Sequence, residues 1–140
     1  PALIRRFHEA KINNSEKVTV WGSGQQMREF LYVDDMAEAC LFINDLDEAT
    51  YNKSTSSMIS HINVGTGHDI TIEELAQIIK SIVGYNGEIR FDTSKPDGAF
   101  KKVLNVNLLH SLGFKAVTSL EDGLAKSYVD FKTNQRAFHV

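Results

Sequence analysis

Trp21 and Arg28, set either side of a glycine turn in WGSGQQMREFLYVDD (Trp21 to Asp35), are the residues of this chain whose types and spacing best fit chemistry. A planar indole and a guanidinium that grips phosphate oxygens in a bidentate way suit a ligand that carries a diphosphate, such as a sugar nucleotide. Arg6 adds a second cation. If Pro1 to Ile12 is a helix with Leu3, Phe7 and Ala10 on one face, then at about 100° per residue Arg5 points away from that stripe. Arg6 lies about 60° from the stripe's centre, on the flank bordering the rest of the protein. Further on, Ser94-Lys95-Pro96-Asp97-Gly98 and then Lys101-Lys102 combine a turn, a carboxylate and cations. There Asp97 has the chemistry to accept hydrogen bonds from vicinal ribose hydroxyls, and Lys102 to oppose phosphate charge.

Each of these residues also has a plainer reading. A lone tryptophan is usually a core aromatic. Arg28 has Glu29 and Asp34 nearby for surface pairing, Arg6 has Glu9 three positions on, and Pro-Asp-Gly is a common turn. The ligand reading therefore rests on the set. The triplets Gly22-Ser23-Gly24 and Gly65-Thr66-Gly67 extend neither to G-x-G-x-x-G nor to a phosphate loop, so both read as turns and no dinucleotide site is expected here. His8, His61, His68, His110 and His139 show no metal-ligand spacing and no adjacent nucleophile motif. The lone Cys40 reads as an inert core thiol and excludes a cysteine-rich metal site.

The elements that must position these residues follow from periodicity and turn signals. Extended runs are expected at Val18–Trp21, Glu29–Val33, His61–Val64 and Glu88–Phe91, with a short extended piece at Lys102–Val106. Asp34 is the expected cap of a helix through about Leu46, with Met36, Cys40 and Ile43 on its apolar face. Asp47–Ser60 reads as irregular and Thr93–Gly98 as a loop. Thr71 and Glu74 form a capping box for a helix ending at Gly84, with Ile72, Leu75, Ile79 and Ile82 on one face. A helical turn spans Asn107–Leu112 before Gly113. Thr118 with Glu121 opens a last helix carrying Leu120, Leu124, Tyr128 and Phe131, and the tail from 133 to 140 reads as loose.

With 140 residues, 42% of them hydrophobic, the chain predicts a single α/β unit with one core. A formal charge of -3 gives no electrostatic footprint for nucleic acid. The sequence holds neither an apolar run of about 20 residues nor a signal peptide, and one cysteine fits a reducing compartment, so a cytoplasmic protein with no membrane contact is expected.

Taken in order, PALIRRFHEA, VWGSGQQMREFLYVDDMAEA, SHINVGTG, TIEELAQIIKSIVGY and FDTSKPDG closely resemble the C-terminal part of the GDP-L-fucose synthase family, from Pro1 to about Phe131. The resemblance implies the C-terminal part of an extended, Rossmann-type short-chain dehydrogenase lacking its N-terminal dinucleotide-binding portion. It implies an NADPH-dependent enzyme that inverts C3 and C5 of GDP-4-keto-6-deoxy-D-mannose and reduces its C4 ketone, with no metal. Arg6, Trp21 and Arg28 match the family's substrate-binding residues, and Asp97 and Lys102 match its loop aspartate and following lysine. The family's cofactor loop and its catalytic serine, tyrosine, lysine, cysteine and histidine would all lie upstream of Pro1, so no catalytic residue is expected here and the segment alone should be inactive. The chain departs from the family pattern at Ala99-Phe100-Lys101 and at Asn105. Two alternatives stay open: another nucleotide-sugar epimerase or dehydratase of the superfamily, and a stand-alone binding module without chemistry. A homodimer of the full-length enzyme is equally open.

Overall fold

The computed structural model describes residues 2–134, so Pro1 and most of the tail expected to be loose lie outside the described residues. The described residues form two compact units, one from residues 2–28, 70–102 and 121–134, the other from residues 29–69 and 103–120.

The first unit is built on helix α1 (Ala2–Ile12), strand β1 (Lys17–Trp21), helix α4 (Ile72–Val83), strand β4 (Glu88–Asp92) and most of helix α6 (Leu120–Thr133). β1 and β4 pair in parallel, from Lys17 opposite Glu88 to Trp21 opposite Asp92. Val18 and Val20 point inward and Lys17, Thr19 and Trp21 outward, the two-residue alternation of a strand with one covered face. α1 packs on α4 and β1 through Ile4, Phe7 and Ala10; of the expected stripe, Leu3 is only half-buried and Ile4 replaces it. Lys11 Nζ donates to the Val83 carbonyl at 2.8 Å and Tyr85 Oη to the Ser15 carbonyl at 2.8 Å, tying both ends of this layer. α6 packs Tyr128 and Phe131 against His8.

α4 is the most legible element. Thr71 accepts from the Glu74 amide, Glu74 accepts from the Thr71 amide, and Gly84 ends the helix at φ 70°, a left-handed turn that glycine adopts without strain. A second sheet has the order β3 (Asp69–Thr71), β2 (Met27–Glu29), β5 (Lys101–Lys102); β2 and β5 run parallel, with Met27 opposite Lys101 and Arg28 opposite Lys102.

The second unit differs more from expectation. Helix α2 (Val33–Asn44) begins before Asp34, with Tyr32 at the cap position and no side chain capping it. Asp35 turns inward instead, 2% exposed, and accepts from the Thr118 amide at 3.0 Å and hydroxyl at 3.1 Å. That pairing places Asp35 and Ala39 on the buried side and leaves Met36 and Cys40 exposed, so Cys40 is not a core thiol. It also employs Thr118, and α6 starts at Leu120 rather than directly after a Thr118 cap. Within the segment read as irregular lies helix α3 (Glu48–Ser54), capped by Asp47, which accepts from the Thr50 amide at 2.9 Å and hydroxyl at 2.7 Å. His61–Val64 forms no strand. Helix α5 (Asn107–Leu112) buries Leu109 and ends at Gly113, as its sequence predicts.

Candidate ligand-binding site

The first unit brings together the exposed end of β1, the flank of α1, the loop after β4 and the β2–β5 ribbon. Trp21 ends β1 on its outward face and is 62% exposed, which excludes the core reading. Arg6 Cζ stands 5.6 Å from the indole centroid and Lys95 Nζ 5.7 Å from it, both within the range of about 6 Å at which a cation feels the ring's quadrupole. Arg5 takes Glu9 as its partner at 2.7 Å, the carboxylate that spacing alone could have assigned to Arg6. The helix therefore spends Arg5 on a surface pair and leaves Arg6 over the indole.

Gly22 at φ 86° and Gly24 at φ 80° form the turn after Trp21, a conformation that L side chains rarely adopt. It is pinned on several sides. The Gly22 amide donates to the Asp92 carbonyl at 2.9 Å, and the first-turn amides of α4, Ile72 and Glu73, donate to the carbonyls of Gln26 and Gly24 at 3.0 and 2.9 Å. A Cβ on Gly24 would stand 2.5 Å from the Phe91 ring, so this glycine is needed for packing as well as for its φ.

Asp97 closes the arrangement from the loop. Its Oδ1 accepts from the Ser23 amide at 2.8 Å and from Gln26 Nε2, and its Oδ2 accepts from the Ser23 hydroxyl at 2.7 Å. The Ser23 hydrogen bonds, backbone first, hold this exposed carboxyl below its ordinary pKa of 3.8. Asp92, which accepts from the Ser94 hydroxyl and amide and lies near Lys95, is lowered in the same way, chiefly by the Ser94 hydroxyl.

Arg28 and Lys102 form the second cationic element. As register partners in parallel strands about 4.8 Å apart, they leave the sheet on the same face. Arg28 Nη1 donates to its own neighbour's carbonyl, that of Met27, at 2.6 Å, and Nη2 lies 3.3 Å from where a Cβ on Gly98 would stand. The loop that holds Lys95 and Asp97 thus also touches Arg28 through Gly98. Met27 joins the loop by its amide, which donates to the Phe100 carbonyl at 2.7 Å, a main-chain bond indifferent to the side chain at 100. All five residues singled out in the sequence, Arg6, Trp21, Arg28, Asp97 and Lys102, fall in this one unit. Lys95, Ser23, Gln26 and Gly98 were not singled out. Only Lys95 gave a sequence signal, a third cation in the same turn.

Four carboxyls share a lowered pKa, Asp47, Glu74, Asp92 and Asp97, each stabilised as an anion by hydrogen bonds. A group whose folded pKa lies below its unfolded one adds stability above the unfolded value and loses it as pH falls through the folded value. Thermal unfolding should therefore hold steady from pH 7 to about pH 5 and fall below about pH 4. A midpoint that rises on acidification through that window would contradict the assignment.

Amides of both glycine triplets are engaged within the protein. The turn at Gly22–Gly24 already faces the Asp97 carboxylate, and the Thr66 and Gly67 amides both donate to Glu29 Oε1 at 2.6 Å. Among the described residues no cluster of three or more His, Cys, Asp or Glu could hold a metal ion, and no helix is long and apolar enough to cross a membrane.

The site thus joins parallel strands to an exposed aromatic with two cations near its ring. Residues 1–65 match the NAD dependent epimerase/dehydratase family, and the α/β fold is like that of part of Rossmann-type short-chain dehydrogenases of known structure. A GDP-6-OMe-4-keto-L-xylo-heptose reductase from C. jejuni is 33% identical with a TM-score of 0.85, over 95% of this chain and 47% of that one. A GDP-mannoheptose C4 reductase from Campylobacter jejuni with NADP bound is 36% identical with a TM-score of 0.80, over 94% and 44%. More particularly, the chain is 54% identical over 138 residues to the GDP-L-fucose synthase of Escherichia coli (strain K12), covering 99% of this chain and 43% of that protein. Along nearly its whole length the chain is similar to a portion of several GDP-L-fucose synthases, and it spans less than half the length of the curated relatives it matches.

Proposed function

We propose that this chain is the substrate-binding part of an NADPH-dependent epimerase and reductase that converts GDP-4-keto-6-deoxy-D-mannose to GDP-L-fucose. The observation that carries the reading is the exposed Trp21 with Arg6 and Lys95 at its ring, beside the Arg28–Lys102 pair. Trp21 offers a face for the nucleotide sugar, and Arg6, Arg28 and Lys102 oppose the charge of the diphosphate. Their role is positioning. Binding energy from the remote GDP holds the sugar's C3, C4 and C5 where the reacting groups need them, which lowers the barrier by several kcal/mol in well-oriented systems. On this reading the dinucleotide and the acid and base groups are supplied by another part of the enzyme.

The test is to assay the full-length enzyme carrying this segment with NADPH and 4-keto-6-deoxy sugars linked to GDP, UDP or dTDP, and to identify the product. Oxidation of NADPH with GDP-L-fucose as product, and at least tenfold lower kcat/KM with the UDP and dTDP substrates, is expected. Preference for UDP or dTDP substrates would move the chain to another sugar-nucleotide enzyme of the superfamily. GDP-sugar binding by a protein of this length alone, without turnover, would make it a binding module.

A further inference from the structure

We propose that Asp97 is a positioning residue: its carboxylate latches the Ser94–Gly98 loop to the Gly22–Gly24 turn and so sets the cations around Trp21. The inference rests on the nucleotide-sugar reading above but concerns how that site is held.

Three donors from the turn and the residues after it converge on this one carboxylate, the Ser23 amide and hydroxyl and Gln26 Nε2. An ionised carboxylate has about four lone-pair positions, so most of its accepting capacity is used within the protein. The turn is shaped to receive it. A Cβ on Gly22 would stand 2.4 Å from Asp97 Oδ1, so the glycine is required both by its φ of 86° and by the closeness of the carboxylate. Gln26 is buried and gives its amide to Asp97, a use of a buried polar side chain that fixes geometry.

What the latch holds is the ligand surface on either side. Two residues before Asp97 is Lys95, whose ammonium stands over Trp21; one residue after it is Gly98, against the Arg28 guanidinium. The near end of the loop is already fixed by Asp92, which accepts from Ser94, and by the Lys95 amide, which donates to the Asp92 carbonyl at 3.2 Å. Beyond the loop, the Phe100 carbonyl accepts from the Met27 amide and β5 pairs with β2, so Asp97 is the tie at the loop's middle. Without it the stretch between these anchors is free to move off the turn, and Lys95 and Gly98 lose their register against Trp21 and Arg28.

The alternative is a direct bond from Asp97 to the ligand's ribose hydroxyls, and the two separate cleanly. Trp21 is the chain's only tryptophan, so its emission and anisotropy report this site alone. Binding of GDP and of 2′,3′-dideoxy-GDP is measured for wild type, D97A and S23A, with Trp21 anisotropy and acrylamide quenching recorded before ligand is added. The latch predicts that D97A weakens both nucleotides by the same factor, at least about tenfold for loss of charge-assisted bonds. It also predicts that S23A reproduces part of that loss, and that ligand-free D97A shows lower Trp21 anisotropy and stronger quenching than wild type. Loss confined to GDP, with dideoxy-GDP unaffected, would overturn the latch in favour of a ribose contact. Unchanged anisotropy and quenching in ligand-free D97A and S23A would overturn it as well. Failure of wild type to bind GDP would instead refute the nucleotide-sugar reading, and the ligand-free comparison would still decide the latch. Should D97A fail to fold, S23A, which removes a single surface hydroxyl, carries the same comparison.

Discussion

Arg28→Ala in the full-length enzyme is expected to raise KM for the GDP-sugar by about 10- to 150-fold, the range that follows from losing hydrogen bonds to a charged group of about 1.5–3 kcal/mol. Stability should change little. Arg28 lies on a strand whose main chain pairs with β5, and its side chain is half-exposed, so its removal leaves no cavity. The guanidinium is held ready, with Nη1 on the Met27 carbonyl at 2.6 Å and Nη2 beside Gly98, so little ordering remains to be done when phosphate arrives. Arg28→Lys keeps the charge but not the planar fork and should restore only part of the affinity. KM and kcat both unchanged in Arg28→Ala would remove Arg28 from the site.

Phe7→Ala is expected to cost the fold about 3–5 kcal/mol, the usual range for truncating a buried Phe. Phe7 is fully buried and meets the Tyr85 ring edge-on, with centroids 5.6 Å apart and planes at 65°. Against a typical total of about 5–15 kcal/mol, that loss is a large share of the stability. The effect should reach the ligand as well, because Phe7 seats the same helix that carries Arg6 toward Trp21. Urea unfolding of the variant measures the first effect and nucleotide affinity under folding conditions the second. A loss under about 1 kcal/mol would mean that α1 is held by something other than this contact.

Where chemistry is local, the sequence was readable. The Thr71–Glu74 box and Gly84 bound α4 as expected, because a cap is decided by side chains within one turn of the helix end. The alternation through Val18 and Val20 fits an outward Trp21, and Arg6 lies on the flank that helical geometry indicated. The failures are long-range. Asp35 is buried because Thr118, distant in sequence, satisfies it, and that one pairing reverses the inward face expected of α2 and exposes Cys40. α3 lies in a segment whose polar composition reads as irregular chain, although Asp47 and Thr50 form a local cap there. The Ser23–Asp97 bonds join residues far apart in the chain, so the sequence marked Asp97 as a possible ligand but not as a residue engaged by the turn.

The most direct test of the central claim is a titration of this chain with GDP, followed by Trp21 fluorescence, with UDP and dTDP as comparators. Trp21 is the chain's single tryptophan and stands near two cations on an exposed surface. Saturable change in its emission, tightest for GDP and weakened by salt as expected for phosphate held by exposed cations, is the predicted result. No change in Trp21 emission with any of the three nucleotides, confirmed by calorimetry, would contradict the account.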